Sequence, residues 1–135
     1  MTAACADLQK VMFETLTGNA VLVALLGGGR IFDRAPTDAA FPYVTFGRTS
    51  VFDWSTSTES GLEHLVTLHV WSKAKGRKEA FAIVDAVRAA LETPLTIDNQ
   101  HLVNFRFESA DVIFDDDISV HHGLLHMRAV TEDAV

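Results

Sequence analysis

The sequence holds one cysteine, three prolines, a single tyrosine and no excess of positive charge. Each shortage closes off a class of protein. Cys5 alone cannot form an intrachain disulfide, so a disulfide-stapled secreted scaffold is excluded. A plain buried or near-terminal thiol is the expectation, with an intermolecular bridge or a reactive thiol as the alternatives. The segment Met1–Cys5 has no basic region, so no signal peptide is read there, and cytoplasmic synthesis is expected. The apolar run Ala20–Leu26 is far shorter than the roughly 18 residues of a membrane span. The net charge of -7 is opposite in sign to that of a dedicated nucleic-acid-binding domain. What is present is a chain of 135 residues, 48% hydrophobic, enough for one domain with its own core. The domain is expected to span residues 1–135, with its core at about 4–130 and a frayed tail at 131–135.

Periodicity divides the chain into helices first and strands after. Leu8, Val11, Met12 and Leu16 recur at helical spacing and predict a helix over Ala4–Leu16. Asn19 is placed to cap a second, buried helix over Ala20–Leu26, and Gly27-Gly28-Gly29 ends it. Arg30–Asp33 is a short candidate strand and Ala35–Pro42 a loop. Tyr43–Gly47 and Arg48–Trp54 read as one long strand bent at Gly47. Ser55–Gly61 is an exposed polar loop. Leu62–Ser72 is a strong strand whose even positions favour one face. After the basic turn Lys73–Lys78, Ala80, Ile83, Val84, Val87 and Leu91 mark a helix over Glu79–Leu91, which Pro94 stops. Leu95–Ile97 and His101–Phe107 read as strands joined by an Asp98-Asn99-Gln100 turn. Asp115-Asp116-Asp117 breaks the sheet, and Ile118–Val130 is the last strand. The expected fold is α+β: a single mainly antiparallel sheet packed by two to three helices.

No set of residues in this order assembles a catalytic or metal site. His122 and His126 have ligand spacing for a helix, but in a strand residues four apart lie roughly 13 Å from each other. His121 and His122 point to opposite faces, as do His64 and His69. Only a cross-strand pair, His64 or His69 with a histidine of the last strand, stays open. Asp115–Asp117 lacks the spaced ligands and glycine of a calcium loop, and reads as a solvated turn. Gly27–Gly29 follows a helix and lacks a phosphate loop's Lys-Ser/Thr pair, so it is a helix stop. Ser60-Gly61 is not framed as a nucleophile elbow. No enzyme activity, metal or cofactor is expected.

The candidate interaction residues are of another kind. Trp54 abuts the polar loop that carries Glu59, and is either an exposed anchor or a tryptophan at the rim of the core. Trp71, at the end of an apolar strand, is expected in the core. Lys73, Lys75 and Arg77 form a basic turn; Asp115, Asp116 and Asp117 form an acidic one. Two such surfaces suit an assembly in which each copy meets the next through different faces.

A series of short segments carries a resemblance. It runs through Gly28-Gly29-Arg30-Ile31-Phe32, Phe41-Pro42-Tyr43-Val44, Asp53-Trp54-Ser55-Thr56, Leu68-His69-Val70-Trp71-Ser72 and Gly76-Arg77-Lys78-Glu79. It continues through Val87-Arg88-Ala89-Ala90-Leu91, Phe105-Arg106-Phe107-Glu108-Ser109 and the stretch from His122-Gly123 to Arg128. In order and spacing this series resembles the small tail-completion, or tail-terminator, proteins of siphophages, prophages and gene transfer agents, over about Leu8 to Ala129. The resemblance implies a structural virion protein of the tail or neck, with no catalytic residues. It implies a homohexameric ring that caps the tail tube, stops its polymerisation and meets the head connector or stopper protein. DNA would pass through the lumen without specific binding, past a ring whose six copies carry a charge of about -40. The alternatives are another neck protein of head-completion or stopper type, and a small ligand-binding module or enzyme.

Overall fold

The computed structural model describes residues 2–133. The chain runs α1 (Thr2–Thr17), α2 (Ala20–Leu26), β1 (Ile31–Phe32), β2 (Tyr43–Asp53), β3 (Gly61–Ser72), α3 (Lys78–Leu91), β4 (Gln100–Asp115) and β5 (Val120–Asp133). The strands form one five-stranded sheet in the order β1-β2-β3-β5-β4. β1 pairs parallel to β2, and every other pairing is antiparallel. The result is an α+β fold with a mixed, mainly antiparallel sheet.

Local chemistry accounts for the elements. Leu8, Met12 and Leu16 stand four residues apart on α1 and are buried against the sheet. The Asn19 side chain accepts from the Leu22 N–H at 3.0 Å and starts α2. Gly27, at φ 77°, ends it in the left-handed region that a side chain disfavours. α2 was expected to be wholly buried. Only Leu22 and Leu26 are; Val21 and Leu25 face outward, because a helix of seven residues under no further layer has a solvent side.

β3 holds the centre, pairing along its whole length with β5. From His64 onward its alternation is strict. His64, Val66, Leu68, Val70 and Ser72 are buried, the apolar ones within the core that α1 and α3 complete. Each such apolar side chain contributes about 1.5–3 kcal/mol on burial. At Gly123 an added Cβ would meet Val84 of α3 at 3.0 Å and Val70 at 3.3 Å, so helix and sheet pack closely there. The odd residues Leu65, Thr67, His69 and Trp71 lie on the second face, which no helix covers. Trp71 is therefore not a core residue as expected.

β2 is the one long strand expected, and its irregularity falls at Gly47, in a bulge between Phe46 and Thr49. Two other expectations change. Leu95–Ile97 forms no strand; instead β4 runs unbroken to Asp115, bulging between Leu102 and Asn104 and between Phe107 and Ser109. Thr131, Glu132 and Asp133, expected to fray, extend β5 and pair with β3 and β4, and Thr131 is buried. Residues 134–135 lie outside the described residues. No helix among those described is long and apolar enough to cross a membrane.

Candidate assembly surfaces

Antiparallel pairing sorts the connections to two ends of the sheet. The β2–β3 connection, with Trp54 and Glu59, lies at one end beside Glu132 and Asp133 of β5. The β3–α3 connection, with Lys73, Lys75 and Arg77, lies at the other. So does the β4–β5 turn, with Asp115, Asp116 and Asp117, because Ser72 is in register with His121 and His121 with Phe114. The acidic and basic turns are thus neighbours at one end of one subunit.

At the first end the loop is short and organised. Ser55 donates to the Asp53 carboxylate at 2.7 Å, the Thr56 N–H donates to the Glu59 carbonyl, and the Thr56 hydroxyl accepts from the Glu59 N–H. Trp54 is 53% exposed, with the Arg128 guanidinium 5.5 Å from its ring centre. Arg128 also meets the Glu63 carboxylate at 2.6 Å, a half-buried pair on the open face. A hydrogen bond shared with Glu59 holds the Glu132 carboxyl above the usual carboxylate range, and burial and the repulsion of the Glu59 charge add to it.

At the second end, the Lys73 ammonium sits 4.5 Å from the Phe41 ring centre. Ser72 donates to Glu79 at 2.6 Å, which ties the start of α3 to the end of β3. The Asp115 side chain accepts from the Asp117 N–H, and Ser119 takes φ 54°, so the acidic turn is tight. Large apolar side chains stand exposed beside both turns: Ile113, Phe114 and Ile118 around the acidic one, Phe81 one turn into α3. The charges were legible in the sequence; these neighbours were not singled out. Phe81 lies off the stripe of Ala80, Ile83, Val84, Val87 and Leu91, and that offset was the available signal.

The histidines resolve into three situations. On the open face His69 Nδ1 and His122 Nε2 are 2.6 Å apart, and the His122 ring stacks on Trp71 at 3.9 Å. This is the cross-strand pairing left open above. Burial pushes His69 below the usual imidazole range, with His126 adding to the shift. Burial also lowers His122, His69 adds to that, and Asp115 opposes it. Gly47 packs against the His69 ring so closely that a Cβ has no room. On the covered face His64 is fully buried, bonded to Thr131 Oγ1 at 3.0 Å, and lowered by burial. Its other nitrogen lies 4.0 Å from Cys5 Sγ, a histidine contact not expected for that thiol. His121 is 5% exposed, and among the described residues neither ring nitrogen has a partner. An imidazole buried so costs about 1–3 kcal/mol. The Phe114 ring packs on it at 4.8 Å.

The best-formed cavity, about 230 Å³, is apolar and lined by Cys5, Leu8, Met12, Phe46 and Val66 among others. Among the described residues no group of three or more His, Cys, Asp or Glu side chains converges to hold a metal. A sheet covered on one face, with two chemically different ends and exposed apolar side chains beside charged turns, defines a protein built to be part of an assembly.

The chain belongs to the family described as Tail completion protein gp17, which matches residues 10–132. Proteins of this family are structural components of the virion tail and not enzymes. Among solved structures, the chain is similar to one in the virion of a native gene transfer agent particle. The TM-score is 0.88 at 29% identity, covering 98% of this chain and 99% of that one. It is also similar to the gp17 protein of bacteriophage SPP1, with a TM-score of 0.64 at 26% identity, covering 94% of this chain and 90% of that one. No curated protein matches it.

Proposed function

We propose that this protein is a tail terminator, acting as one domain: copies of it form a ring on the end of the tail tube, stop tube growth and join the tail to the head connector or stopper. The observation that carries the reading is the end-to-end likeness to a chain of a gene transfer agent virion. Support comes from the two unlike ends of the sheet. Trp54 and Glu59 suit contact with a neighbouring ring, while Lys73, Lys75, Arg77 and Asp115–Asp117, at the other end, suit contact between copies within the ring. The net charge of -7 per chain favours passage of DNA through the ring over adhesion to it. Six copies is the number the family resemblance implies.

Deletion of the gene in the source particle tests this. Over-long or headless tails are the expected result. Normal tails with unfilled or leaking heads would assign the protein instead to head closure.

A further inference from the structure

The end of the sheet that carries the β4–β5 turn holds two exposed patches of opposite charge, each with large apolar side chains beside it. The first is the turn itself: Phe114 and Ile118, 42% and 55% exposed, flank Asp115–Asp117. The second is the start of α3, where Arg77 and Lys78 precede Phe81, 55% exposed. Lys78 and Phe81 stand three residues apart on one face of the helix. α2 packs on α3 and exposes Val21 and Leu25. Glu79 is not part of this surface, since it accepts from Ser72.

Among the described residues, none of Arg77, Lys78, Asp115, Asp116 and Asp117 makes an ion pair within the chain, although the strand register brings both segments to the same end. A second observation falls on the same spot. Phe114, part of the acidic patch, covers the His121 ring, whose two nitrogens are buried without a partner. Among the described residues, nothing satisfies the polar group under the patch.

We infer that a second copy of this chain docks here, the β4–β5 turn of one copy seating on the α2–α3 surface of the next. Phe114 and Ile118 meet Phe81, Val21 and Leu25, and Asp115–Asp117 face Arg77 and Lys78 of the neighbour. The occupant is the chain itself because one chain carries both halves, matched in charge and in apolar character. The contact joins unlike surfaces, so it repeats head to tail and closes into a ring when the rotation permits. It rests on the ring proposed above and names the contact between its subunits. Lys73 is left out of the basic side because it is engaged on Phe41.

The test uses the full chain carrying Asp116→Lys or Lys78→Glu, both exposed positions. Self-association is read by analytical ultracentrifugation and ring formation on tail-tube ends by electron microscopy, with the thermal midpoint as the folding control. Each single change is expected to weaken association about tenfold. An equimolar mixture of the two variants, and the double variant, should recover it, since each restores a Lys–Glu contact. Ile118→Ser should weaken association with an unchanged midpoint. Singles that assemble like the parent, or a mixture no better than its components, overturn the contact while leaving the ring standing. Particles in which copies of the chain do not touch overturn both.

Discussion

On the covered face, β3 sets Val66, Leu68 and Val70 against Met127, Leu125 and Gly123 of β5. One residue along, on the open face, the same two strands set Thr67, His69 and Trp71 against His126, Leu124 and His122. The backbone ladder is shared, so the difference lies wholly in what each face has to exclude. Helices exclude water from the first, which makes it intolerant of lost volume. The second keeps its side chains half-buried by stacking and hydrogen bonding with one another, as in the row Tyr43, Trp71, His122 and His69. Stability is concentrated on one face and pH sensitivity is shared with the other.

The widest separation between the faces should come from truncating matched leucines. Leu68→Ala, on a fully buried side chain, is expected to cost about 2–5 kcal/mol in urea unfolding. Next, the two buried histidines of the covered face should part company under the same change. His64→Phe strips a buried hydrogen bond from Thr131 and should cost about 1–3 kcal/mol. His121→Phe removes a group that has no partner among the described residues, and should be neutral or raise the thermal midpoint.

A smaller effect tests the open face through pH. His64, His69 and His122 all have folded pKa values lowered from 6.5. The unfolded chain therefore binds more protons just below that pH. Stability should be full above about pH 6.5, decline as the pH falls, and level off once the folded imidazoles also titrate. Urea midpoints at a series of pH values check this. His69→Gln with His122→Gln should flatten the decline, leaving the part that belongs to His64. The least effect is expected from Leu65→Ala on the open face: Leu65 is 38% exposed, and its loss should cost less than about 1 kcal/mol.

Most of the fold was legible because period and punctuation agreed: Asn19, Gly27 and Pro94 sit where helices begin or stop. Of β4 only His101–Phe107 was, because Ser109-Ala110-Asp111 breaks the alternation of an exposed edge strand that only cross-strand pairing holds extended. Nor was the sheet's extension through Thr131–Asp133, whose partners lie far off in sequence at Gly61–Leu62 and Gln100–Leu102. Of the candidate residues, charge and loop composition picked out both turns and Trp54. They could not say that the two charged turns share an end, because that follows from strand order. Trp71 was misplaced for a related reason: an apolar strand gives no sign of which face the helices cover.

The unbroken pairing of β3 with β5 has a mechanical consequence. The loop proposed to meet a neighbouring ring and the turn proposed to meet a neighbouring copy lie at opposite ends of this ladder, which runs in register from Gly61–Glu132 to Ser72–His121. Load passed from one contact to the other would pull along the strands, across hydrogen bonds that lie perpendicular to it. The ladder is then loaded in shear, where its rungs resist together, instead of being unzipped one at a time from an end.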